Sequence, residues 1–155
     1  MIASGEVSWQ AVIHAEGHDF ETNNPKDYYV TFGVAGDPLK EEAVTAIPPE
    51  ATVVMYLYSP PFNPFISTAL FKDIRPFGEQ EYSWVVQIDP NGIYGPGAPL
   101  KSTLSWDPSE LGAGQFELRE GDDGSGIVVV PNMKSTSSYE ITSADVLNFT
   151  IIYTP

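Results

Sequence analysis

The chain has 155 residues, enough for one domain, and its seven Lys and Arg stand against 21 Asp and Glu for a net charge of −14. Polyanions are repelled over the whole surface, which argues against nucleic acid and anionic membranes as partners. With no Cys, disulfides, thiolate nucleophiles and Cys-ligated zinc are excluded, and no apolar run reaches the roughly 18 residues of a membrane-spanning helix.

In chain order, Val7, Trp9, Ala11 and Ile13 alternate with Ser8, Gln10 and His14, so residues 6–15 predict an opening strand with an inward Trp. Gly17 to Asp27 reads as a loop around Asn23, Asn24 and Pro25. The next strand has Tyr28, Val30, Phe32 and Val34 on its inner face. Over residues 38–45, Asp37 and Pro38 allow a short helix that Pro48 and Pro49 would stop, and an ordered loop fits equally. Ala51 to Tyr58 is a strand, followed by the aromatic, Pro-rich loop 59–65 and an extended stretch from Ile66 to Arg75.

Two alternating segments then stand out. Tyr82, Trp84, Val86 and Ile88 share one face of the first, and Leu100, Leu104 and Trp106 share one face of the second, with Pro, Gly and Asn between them. Asp107 to Leu111 predicts a single tight turn. Gln115 to Arg119 and Ile127 to Val130 form a hairpin across Gly121 to Gly126, and Pro131 ends its second strand or marks it as an edge. Tyr139–Thr142 and Leu147–Tyr153 read as a closing hairpin. About nine or ten short strands without long helical periodicity predict one all-β domain over 1–155, an antiparallel two-sheet β-sandwich.

A set of segments in order along the chain carries a resemblance: Asp73-Ile74-Arg75, Tyr82-Ser83-Trp84-Val85-Val86, Leu104-Ser105-Trp106-Asp107, Phe116-Glu117-Leu118, Asn132-Met133-Lys134, Ser137-Ser138-Tyr139 and Phe149, with the Trp9 strand and Phe32-Gly33-Val34. It resembles the fibronectin type III and immunoglobulin-like sandwich modules of bacterial and archaeal secreted and cell-surface proteins. The resemblance implies a non-catalytic accessory, adhesive or spacer module and carries over no catalytic residue. The opening Met1 to Gly5 is too short and polar for a signal peptide, while the Thr, Ser, Tyr, Pro and Gly content suits an extracellular sandwich. An extracellular or cell-surface location with the leader removed is therefore expected.

Four constellations have binding chemistry. Tyr56 and Tyr58 alternate with Val53, Met55 and Leu57, so if the aliphatic side faces the core they either face outward, presenting rings with Phe62 and Phe65 to a sugar or a protein, or pack under the neighbouring Pro-rich loop. Asp122 and Asp123, between glycines, offer hard oxygen ligands for calcium, with help from Asp89 and Asn91 or from Asp19 and Asn23. His14 and His18 lie four apart, which on a strand separates them by about 13 Å, too far for one zinc unless the chain bends at Gly17. Asn148-Phe149-Thr150 is a glycosylation sequon with Asn148 on the outward parity of the last strand. No Gly-x-Ser-x-Gly elbow occurs, and the carboxylate pairs Glu41/Glu42 and Glu79/Glu81 lie in polar stretches. The expected function is a spacer, adhesion or assembly unit of a larger surface protein, whose partners are other domains, surface proteins or glycans. The alternatives are a carbohydrate-binding module using Tyr56, Tyr58, Phe62 and Phe65, and a cohesin-like protein-docking module.

Overall fold

The computed structural model describes residues 8–18, 25–36, 42–43, 53–58, 70–90, 102–141 and 148–155. Its strands are β1 Trp9–His18, β2 Pro25–Val34, β3 Glu42–Ala43, β4 Val53–Tyr58, β5 Leu70–Arg75, β6 Tyr82–Pro90, β7 Ser102–Ser105, β8 Gln115–Glu120, β9 Val128–Val130, β10 Ser138–Ile141 and β11 Asn148–Thr154. The chain is all-β, as its short alternating runs predict.

Of the expected antiparallel two-sheet arrangement, the all-β character holds and the strictly antiparallel pairing does not. The strands form one sheet in the order β10-β7-β1-β2-β5-β4-β6-β11-β8-β9, with β3 alongside β5. The sheet is mixed, because β2 and β5 run parallel, and it is nearly closed into a barrel. Alternation in a sequence reports which face of a strand is apolar and carries no information about which neighbour its backbone bonds. Between β5 and β4 the described ladder is a single pair, Leu57 with Leu70. That junction divides the sheet into a first half (β10, β7, β1, β2, β5) and a second half (β4, β6, β11, β8, β9).

The interior lies between the halves. Trp9 of β1 sets its indole edge-on to Phe32 of β2 and to Trp84, Phe116 and Tyr153 of the second half, with centroids 5.0–6.2 Å apart. Edge-to-face placement suits the ring quadrupoles and adds to the area buried. Tyr82 stacks on both Trp84 and Tyr153, and Tyr153 stacks on Phe116 at 4.4 Å. The inward faces read from alternation hold for β1, β2 and β6, whose Ala11, Ile13, Val30, Phe32, Val34, Tyr82, Trp84, Val86 and Ile88 are all buried. Gly112 lies so close to Trp9 that a Cβ there would fall 2.4 Å from the indole, which explains a glycine behind the short 3-10 turn Pro108–Glu110.

Two polar devices fasten β5 to β6 where the chain crosses between the halves. The Tyr82 hydroxyl donates to the Pro76 carbonyl at 2.8 Å and accepts from the Glu79 amide at 3.2 Å. Arg75 pairs with the buried Asp73 at 3.0 Å, donates to the Ser83 carbonyl and lies 4.8 Å over the Trp84 ring, whose Nε1 donates to the Asp73 carbonyl at 3.2 Å.

Three further expectations change. β1 continues through Gly17 to His18 and β2 starts at Pro25, because the pair stays in antiparallel register to His18 and Pro25. Within the possible helix at 38–45, Glu42–Ala43 is a short strand on β5, and the neighbouring positions lie outside the described residues. The closing segments do not form a hairpin: β10 pairs with β7, while β11 sits between β6 and β8. Their alternation fits any partner that buries the same face, so proximity in sequence misleads. The β8–β9 hairpin is antiparallel as expected.

Candidate functional site

On the outward face of the first half, Tyr29, Ser138 and Glu140 are exposed and Val12, His14, Thr31, Thr103 and Ser105 are half-buried. Inward burial of Ala11, Ile13 and Ala15 turns Val12 and His14 of β1 outward, and burial of Val30 and Phe32 turns Tyr29 and Thr31 of β2 outward. Antiparallel register then aligns these residues across strands: Tyr29 opposite His14, His14 opposite Ser105, and Ser105 opposite Ser138. Tyr29, His14, Ser105 and Ser138 thus make one row across β2, β1, β7 and β10, about 14 Å long at the usual strand spacing. Thr103 and Glu140 pair in an adjacent row, and Thr31 pairs with Val12 on the other side.

The Tyr29 ring is 56% exposed and stacks on the His14 imidazole with centroids 4.6 Å apart and planes 17° apart. His14 Nδ1 lies 3.2 Å from Ser105 Oγ. The imidazole is therefore held from both sides, and it holds one face of the tyrosine ring. The result is a preset aromatic surface among hydroxyls, with the Glu140 carboxylate exposed at one margin and Glu110 at another. Glu110 Oε1 accepts from the Val12 amide at 3.3 Å.

The residues singled out from the sequence do not gather in one place. Tyr56 and Tyr58 are corrected: they do lie opposite Met55 and Leu57, but that side is not solvent, and the rings are only 3% and 9% exposed. With Val85 they form a second apolar cluster against Tyr28 and Phe71, and the Tyr58 hydroxyl donates to Gln87 Oε1 at 3.2 Å. Phe62 and Phe65 lie outside the described residues.

Asp123 serves its own turn, with Oδ1 accepting from the Ser125 hydroxyl at 2.7 Å and the Ser125 amide at 2.9 Å, and these bonds hold its pKa below the ordinary carboxylate value. Asp122 is half-buried beside it, and Asp19, Asn23 and Asn91 lie outside the described residues. Among the described residues no group of three or more His, Asp or Glu comes together as a cation site. For His14 and His18, β1 stays paired with β2 through Gly17 to His18, and the His18 side chain lies outside the described residues.

Asn148 keeps its outward parity, yet it is half-buried with its Oδ1 enclosed, and the sequon's Thr150 is buried with its hydroxyl donating to Gly121 at 2.8 Å. The β8–β9 turn lies over this part of β11: the Gly121 amide donates to the Asn148 carbonyl, and a Cβ on Gly124 would meet Ile152 at 3.4 Å.

Tyr29 does not stand out in a sequence whose β2 pattern is defined by its inner face, Tyr28, Val30, Phe32 and Val34. A signal existed: in the adjacent pair Tyr28-Tyr29, period-two alternation turns one ring in and the other out. Comparison with protein-family models, curated proteins and solved structures gives no significant match.

Proposed function

We propose that this chain is a non-catalytic β-sandwich module of a secreted or cell-surface protein, of the immunoglobulin-like or fibronectin type III-like kind, and that the outward face of its first half binds a neutral saccharide chain. The sandwich reading is supported by Tyr82, whose hydroxyl bonds back to Pro76 and Glu79 where the chain passes between the halves. A tyrosine corner in sandwich domains does the same. The observation that carries the binding reading is the exposed Tyr29 ring held against His14 in a row with Ser105 and Ser138.

The chemistry is matched in three respects. An aromatic ring offers an apolar plane to the C–H face of a pyranose, and hydroxyls and a carboxylate offer donors and acceptors for sugar hydroxyls. Because His14 already orders Tyr29, less side-chain entropy is lost on binding. A net charge of −14 favours neutral glycans over anionic ones. Native gel electrophoresis through soluble galactomannan, xyloglucan and mixed-linkage β-glucan tests the reading. At least one polymer should retard the protein, and Tyr29→Ala should weaken that retardation by about tenfold or more in apparent affinity. Unretarded migration in all three, or retardation unchanged by Tyr29→Ala, overturns it.

A further inference from the structure

The sheet ends in two edge strands with opposite surfaces. β10 exposes Ser138 and Glu140, the polar and charged cover that discourages another strand from adding. At the other end, β9 has β8 as its hydrogen-bonded neighbour among the described residues. It is approached through Ile127, 71% exposed, and begins with Val128, 37% exposed; these are the exposed large aliphatic side chains of the described residues. Ile127 to Val130 is a β-branched, uncharged run bounded by Gly126 and Pro131, the composition that favours strand pairing. The three-residue length of β9 and Pro131 limit this edge, and the exposed Ile127 and Val128 are the part of it left uncovered for a contact.

The charges beside the run indicate what covers it. The turn before β9 carries Asp122 and Asp123, and the turn after it carries Lys134, an exposed residue whose Nζ lies 5.5 Å over the Phe116 ring. The two ends of β9 therefore differ in sign. An antiparallel second copy sets the acidic end of one strand toward the basic end of the other, twice over, while the uncharged run between meets its own like. A parallel copy would set like charges together. We infer that β9 is a self-association edge, across which two copies of this chain join their sheets in antiparallel fashion about a twofold axis. On β8 beside this line, Glu117 is paired with Arg119 at 2.8 Å and Glu120 lies at the same acidic end as Asp122 and Asp123, and exposed charges farther off than roughly 8 Å are screened at physiological salt.

The inference stands apart from saccharide binding, which uses the opposite end of the sheet order. Light scattering coupled to size-exclusion chromatography, with sedimentation velocity over a concentration series up to about 500 µM, tests it at the weak end of specific association. The unmodified chain should pass from monomer to dimer within that range. Val128→Lys puts a charge on the edge and should raise the dissociation constant about tenfold or more, while Lys134→Glu, which makes both ends acidic, should raise it by less. Both positions are exposed enough for the variants to keep the parent's melting temperature, which circular dichroism checks. A chain monomeric throughout the series, a dimer indifferent to Val128→Lys, or one that Lys134→Glu strengthens, overturns the inference.

Discussion

The outward faces of the two halves differ in a way their sequences do not announce. In the first half the outward positions include hydroxyls, Val12, His14 and the exposed Tyr29. In the second half, Tyr56, Tyr58, Val85 and Thr150 also point away from the interior, and all four are buried. Both β2 and β4 set outward tyrosines next to inward apolar residues, Tyr29 beside Val30 in β2 and Tyr56 and Tyr58 on either side of Leu57 in β4. The strand pattern is the same and the environment is not, because parity decides the side of the sheet and only the rest of the molecule decides whether that side meets water.

Substitutions can break or sharpen that contrast, beginning at the joint between the halves. Arg75→Ala removes the guanidinium that pairs with buried Asp73 and covers Trp84, and should cost about 3 kcal/mol in denaturant-induced unfolding, more than any outward-face change in the first half. A loss below about 1 kcal/mol would mean that the remaining polar contacts hold the crossing.

Next come the two tyrosines themselves. Tyr56→Ala should destabilise by about 3 kcal/mol, as truncation of a buried aromatic does. Tyr29→Ala should cost less than about 1 kcal/mol, the worth of a cross-strand pair. Equal costs would erase the distinction between a closed face and an open one.

The smallest effect is at low pH. Asp107 and Asp123 each accept two bonds from the serine two residues on, which lowers both pKa values in the folded state. A lowered folded pKa adds stability above the unfolded value and loses it as pH falls through the folded one. Asp123→Asn should therefore leave neutral stability nearly unchanged and flatten the acid side of the stability profile below about pH 4. An unchanged acid limb would show that the turn bond contributes nothing to linkage.

Much of this fold is legible in the residues. Period-two burial marks β1, β2 and β6 and their inward indoles, and Gly121 to Gly126 marks the β8–β9 turn, where Gly121 and Gly124 adopt φ of 91° and 76°. What alternation leaves open is pairing. β6 and β7, which read as a central pair, lie in different halves, and β10 and β11 part company although six residues separate them. Those outcomes depend on contacts far apart in sequence, such as Trp9 with Tyr153. The site is legible only in part: the sequence offers His14 as half of a His pair, whereas its stacking on Tyr29 depends on the β1–β2 register.

The lone described rung between β4 and β5, Leu57 with Leu70, has a mechanical corollary. Where described backbone pairing is this sparse, the hold of one half on the other falls to side chains that reach across the interior, such as Trp9 against Trp84 and Tyr153. Trimming one of those rings should therefore loosen the two halves against each other before it loosens the strands within either half.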